Sequence, residues 1–128
     1  MYNFDKMISD AVKQILFYGN NKVVFIMNYG SYSNNTFHNG SDIDLCIYYN
    51  GTLEERQKFR LSMLSSLNDI FDVQIFQDLP LYIRKDVLNG KLLYMKDKSI
   101  YEIARNTIEE FEDFRRGYYD AIGLEKII

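Results

Sequence analysis

Gly30-Ser31-Tyr32-Ser33-Asn34-Asn35-Thr36-Phe37-His38-Asn39-Gly40-Ser41-Asp42-Ile43-Asp44-Leu45 is the stretch that decides the reading of this chain. Before it runs Val23–Met27, an apolar segment with the character of a buried strand. Gly30 and Ser31 break that strand, and ten residues of turn-forming character follow. A second strand then opens with two carboxylates one residue apart. Residues i and i+2 of a strand point to the same side, so Asp42 and Asp44 stand together. Ile43, Leu45 and Ile47 take the opposite, core-facing side. Two like charges held this close raise each other's pKa unless a cation intervenes. Hard carboxylate oxygens without histidine or thiolate suit Mg²⁺ or Mn²⁺.

The elements on either side follow from periodicity and punctuation. Asn3 can cap a first helix of about 15 residues, with Phe4, Met7, Ile8, Ala11 and Ile15 on one stripe. Gly19, Asn20 and Asn21 end it. The second strand spans about Asp42 to Tyr49, and Asn50-Gly51 is a turn. Thr52 and Glu55 form a capping box for a second helix with Phe59, Met63, Leu64 and Leu67 inward. A third strand runs from Phe71 to Phe76, with Asp72, Gln74 and Phe76 on one side. Pro80 suits the first position of a short helix ending before Gly90. Lys91–Met95 reads as an edge strand. Ser99 and Glu102 form a second capping box. The helix they open carries Ile100, Ile103, Ala104, Ile108, Phe111, Phe114 and Tyr118 at helical spacing, with a solvated acidic and basic face opposite.

Composition narrows the class. With 47% apolar residues and 20 Phe and Tyr side chains among 128, the chain can bury one core and is read as a single domain. A net charge of -3 argues against direct nucleic-acid binding. The single cysteine, Cys46, excludes an internal disulfide and fits a reducing cytoplasm. No segment approaches the roughly 18 apolar residues of a membrane span.

Gly-Ser, ten residues, and a strand-borne Asp-x-Asp resemble the signature of the polymerase-β-like nucleotidyltransferase superfamily. The short length makes the chain similar to its minimal members, the MntA-type antitoxins encoded beside HEPN-domain toxins. Gly30 and Ser31 match the family's Gly-Ser, and Asp42 and Asp44 its Asp-x-Asp. The resemblance in element order extends to about Met95. It implies an α+β fold, a small mixed sheet with helices on one side. It implies one minimal nucleotidyltransferase domain over 1–128, with a core at about 1–97 and a C-terminal helix at about 99–119.

A two-metal site needs a third carboxylate. Asp72 is the candidate, provided the third strand pairs beside the second, and the family places its third carboxylate on this strand. Asp69 and Asp78 are nearby alternatives. Asp42 and Asp44 would then hold two Mg²⁺ or Mn²⁺ ions, Asp72 would ligate one of them, and Gly30 and Ser31 would meet the triphosphate of ATP. The implied reaction moves AMP from ATP to a tyrosine of a HEPN RNase toxin and silences it. Two other readings stand beside it. One is a catalytically weak module that neutralises a HEPN partner by contact. The other is a small-molecule nucleotidyltransferase, for which a homodimer would have to supply the acceptor site.

The chain departs from its relatives at Asn34 and Asn35, where they carry a basic residue. Neither Lys nor Arg lies between Ser31 and Asp44. Triphosphate charge then falls to metals, backbone N–H groups, or a distant cation such as Lys91 or Arg84. His38 reads as a solvated loop residue and Cys46 as a small core residue. Tyr118 and Tyr119 are candidates for a partner surface.

Overall fold

A computed structural model describes residues 3–30 and 42–121. Among the described residues four strands form one mixed sheet, flanked by four α-helices. Helix α1 (Phe4–Gly19) is capped by Asn3, whose side chain accepts the Lys6 N–H at 3.1 Å. It ends at Asn20, which takes φ 52 and donates its N–H to the Leu16 carbonyl. Strand β1 (Val23–Tyr29) runs two residues further than its apolar core suggests. After the connection at 31–41 comes β2 (Ile43–Tyr49). Helix α2 (Leu53–Ser66) opens with the expected capping box, Glu55 N–H to Thr52 Oγ1 at 3.2 Å and Thr52 N–H to Glu55 Oε1 at 2.8 Å. Replacing Thr52 by Ala removes one arm of the box and is expected to cost about 1 kcal/mol. It would be read as a lower denaturation midpoint at unchanged slope.

Strand β3 (Phe71–Ile75) leads through a short 3₁₀ turn, Phe76–Asp78, into α3 (Leu81–Val87), with Pro80 as its N-cap residue. Strand β4 (Lys91–Met95) and α4 (Ser99–Ala121) complete the fold. At the start of α4 the carboxylate that receives Ser99 is Asp97, at 2.9 Å from the Ser99 N–H, in place of the Glu102 expected from the sequence. The helix begins at Ser99 itself, one position too early for Ser99 to be its cap.

The strand order is β3-β2-β1-β4. β1 is antiparallel to both β2 and β4, whereas β2 and β3 are parallel, joined by the α2 crossover. β4 is therefore an edge, as its sequence suggests.

The helices cover both faces of the sheet, not one. On the first face α1 and α2 bury Ile8, Ala11, Ile15, Phe59 and Met63 against Ile26, Ile43, Leu45, Ile47, Val73 and Ile75. On the second, α3 and α4 bury Val87 and Ile100 against Phe25, Met27, Cys46 and Phe76. The sign of two-sided burial is in β1 itself, whose residues Phe25, Ile26 and Met27 are all buried regardless of alternation. The Phe25 and Phe76 rings meet edge to face, with centroids 5.2 Å apart.

The long apolar stripe of α4 is only half used. Ile100 is buried, but Ile108, Phe114 and Tyr118 are exposed at 48%, 62% and 54%. A helix of 23 residues is about 35 Å long, and its buried residues, Ile100 and Thr107, both lie in its first half.

Candidate active site

Three strands present one side chain each in a single row. Asp44, on the central strand β2, pairs with Tyr29 of β1 on one side and with Asp72 of β3 on the other. Residues in register on adjacent strands share a face, so all three project from the α3/α4 face, at the end of the sheet where β1 runs out. The condition on the third carboxylate is thus met: β3 pairs beside β2, and Asp72 comes level with Asp44. Asp42 lies two residues before Asp44, exposed at the mouth just ahead of the strand.

Burial pushes the Asp44 carboxyl above its ordinary value, and the negative charges of Asp72 and then Asp42 push it further. The Tyr29 phenol is raised too, first by burial and then by Cys46, Asp44 and Asp72. Gln74, two residues along β3, donates from Nε2 to Asp72 Oδ2 at 3.3 Å and so orients that carboxylate.

Gly30 closes the row. It turns the chain out of β1 with φ +84, and a Cβ built there would stand 2.5 Å from Asp44 Oδ2. A side chain at this position would occupy the space of the carboxylate, so only glycine permits the approach. Ser31, Asn34, Asn35 and His38 lie outside the described residues.

The other candidates are committed elsewhere. Asp78 accepts from Arg56 Nη2 at 2.7 Å and from Gln57 Nε2 at 3.0 Å. Asp69 is exposed in the turn before β3. Arg84 donates to the Leu79 carbonyl at 3.1 Å and pairs with Glu110 at 3.8 Å. Lys91 pairs across strands with Asn28 and lines a cavity against α1, on the face away from Asp44. Cys46 shares the Asp44 face but is fully buried, and burial holds its thiol up.

The donor set fits a hard divalent cation. It offers carboxylate oxygens alone, and their mutual repulsion is relieved by positive charge. Among the described residues no three acidic, His or Cys side chains converge into a ready-made cage. Mg²⁺ is usually bound through one or two carboxylates completed by substrate phosphates and water.

Tyr29 and Gln74 were not singled out from the sequence. Both were within reach of strand alternation: Tyr29 continues the Phe25, Met27 side, and Gln74 follows Asp72 by two.

Residues 12–99 match the family model described as "Polymerase beta, Nucleotidyltransferase". The Methanocaldococcus jannaschii protein named "Putative protein adenylyltransferase MJ1547" is 35% identical over 82 residues, which cover 63% of this chain and 63% of that protein. The match thus spans less than two thirds of that curated relative. A toxin–antitoxin crystal structure with AMP-PNP superposes with a TM-score of 0.70 at 23% identity, covering 88% of this chain and 93% of that one. An MNT antitoxin in complex with a tri-AMPylated Shewanella oneidensis HEPN toxin gives a TM-score of 0.66 at 20% identity, covering 91% and 93%. At these identities the two structures speak for the fold. With the family model covering all four strands, the row of carboxylates beside a strand-ending glycine stands in its family context: this chain belongs to the polymerase-β nucleotidyltransferase family.

Proposed function

We propose that the chain is a protein adenylyltransferase that acts as an antitoxin, moving AMP from ATP to a tyrosine hydroxyl of a HEPN-domain RNase toxin. The observation that carries this reading is the Asp44–Asp72 register, with Gly30 held against the Asp44 carboxylate. In this reading residues 1–128 form one minimal nucleotidyltransferase domain that works in the cytoplasm. Among the described residues no helix is long and apolar enough to cross a membrane.

Asp42 and Asp44 would hold two Mg²⁺ or Mn²⁺ ions, with Asp72 on one of them, and Gly30 and Ser31 would receive the triphosphate. Bound there, the ions would offset the phosphate charge and polarise the α-phosphoryl group. Asp72, oriented by Gln74, takes the phenolic proton as the tyrosine oxygen forms its bond to the α-phosphorus. The bond from that phosphorus to the bridging oxygen breaks, and pyrophosphate leaves. Tyr29 shields the carboxylates from water on the β1 side. Gln74→Ala is expected to slow transfer about tenfold with little change in stability.

Neutralisation by contact alone is the second reading. Two observations favour it: Arg84 is engaged by the Leu79 carbonyl and Glu110 while Lys91 lies on the face away from Asp44, and α4 leaves Ile108, Phe114 and Tyr118 exposed. RNA cleavage by the HEPN partner, measured with this protein in the presence and absence of ATP and Mg²⁺, separates the two. Transfer requires both for lasting inhibition. Full inhibition without either would replace it with contact.

A further inference from the structure

We propose that the cavity between α1, β1 and β4, on the face of the sheet away from the carboxylates, binds a nucleoside phosphate. The cavity has a volume of about 450 Å³, within the range that holds a drug-sized ligand. Its wall includes Asn28, which is wholly inaccessible at 0% exposure. Among the described residues neither Nδ2 nor Oδ1 of Asn28 has a hydrogen-bond partner. A buried carboxamide with neither atom satisfied is rare, because the desolvation of both groups goes uncompensated. One ligand edge with a donor beside an acceptor answers both atoms, which is the pattern a carboxamide reads on a nucleobase.

The remaining lining completes that chemistry. Ile8 and Leu93 give apolar surface for a flat ring, and Ser9 offers a hydroxyl. Lys13 and Lys91 supply two exposed ammonium groups, neither with an ion-pair partner among the described residues. Asp5, also on the wall, is already engaged. A phosphate between the two lysines and a base against Asn28 answers both ammonium groups and the carboxamide. Lys91 is the cross-strand neighbour of Asn28. Its flexible stem is the group that moves aside to admit the base.

Alternation places Asn28 opposite Met27 and Tyr29, so this site and the Asp44 row do not share a face. The inference therefore does not depend on adenylyl transfer. The probe is AMP, titrated into the full chain in EDTA and followed by backbone amide shifts. Saturable shifts are expected at Ser9, Lys13 and Leu93. Asn28→Leu removes the two orphaned atoms, so the variant should fold at least as stably as the parent. It should also bind AMP about tenfold more weakly, and Lys13→Glu with Lys91→Glu should do the same by charge alone. Shifts confined to Gly30, Asp44 and Asp72, no saturable response, or undiminished affinity in both variants would overturn the proposal.

Discussion

Asp44→Asn is expected to reduce adenylyl transfer by about a thousandfold while leaving the fold intact. Asp44 is the one carboxylate in register with both neighbouring strands, so its loss separates Asp42 from Asp72 electrostatically. The same substitution has a second signature, in the pH dependence of stability. The Asp44 carboxyl is raised above 3.8 by burial and by its acidic neighbours, so the folded protein binds that proton more tightly than the unfolded chain. Its contribution is fully present below the unfolded value and disappears as pH rises through the folded one. In ion-free protein the Asp44 contribution should thus fall as the pH rises above about 4, and Asp44→Asn should remove it. Adding Mg²⁺ near neutral pH should recover stability in the parent, because an ion bound only to the folded state shifts the balance by mass action. The gain should be smaller in the variant. Thermal denaturation across pH, with and without Mg²⁺, reads all of these.

Gly30→Ala should be the most damaging single-atom addition near the site. Two effects combine. The backbone sits at φ +84, where a Cβ costs about 1–3 kcal/mol. The added carbon also meets Asp44 Oδ2 at 2.5 Å, so the carboxylate must leave its place or the strand end must shift. A displacement of this order at a reacting centre costs about a hundredfold in rate. Gly117→Ala is the contrast. That glycine lies inside α4 with nothing within 4 Å of an added Cβ. Alanine there should stabilise the helix by up to about 1 kcal/mol. Denaturation midpoints and transfer rates of the two variants, measured together, separate a constrained glycine from a tolerated one.

Much of this arrangement was legible in the residues because local signals and global pairing agree. Thr52 and Glu55 cap α2, Asn3 caps α1, and Ile43, Leu45 and Ile47 turn to the core with Asp44 on the other side, although β2 starts at Ile43 and leaves Asp42 just ahead of it. Asp72 could be named but not placed, since its role depends on β3 joining β2, a long-range pairing that period-2 alternation does not specify. The sidedness of the helices was misjudged for a related reason. A strand buried on both faces loses its alternation, and β1 reads as a plain apolar run whether one face or two is covered. The stripe on α4 shows the converse. Helical spacing identified Ile108, Phe114 and Tyr118 as one face, but what lies against that face is set by where α3 and the sheet end. Arg84 and Lys91 were plausible as phosphate cations by charge alone. Their actual directions follow from the Leu79 carbonyl, Glu110 and the cross-strand neighbour Asn28.

In the proposed reaction the Asp44–Asp72 row serves transfer of AMP to a tyrosine of the HEPN partner. Its most direct test is to incubate the purified pair with α-labelled ATP and Mg²⁺, beside an Asp42→Ala/Asp44→Ala control, and to locate the label by peptide mass spectrometry. Label is expected on a tyrosine of the partner and absent in the control. A stable complex in which the partner remains unlabelled would contradict it.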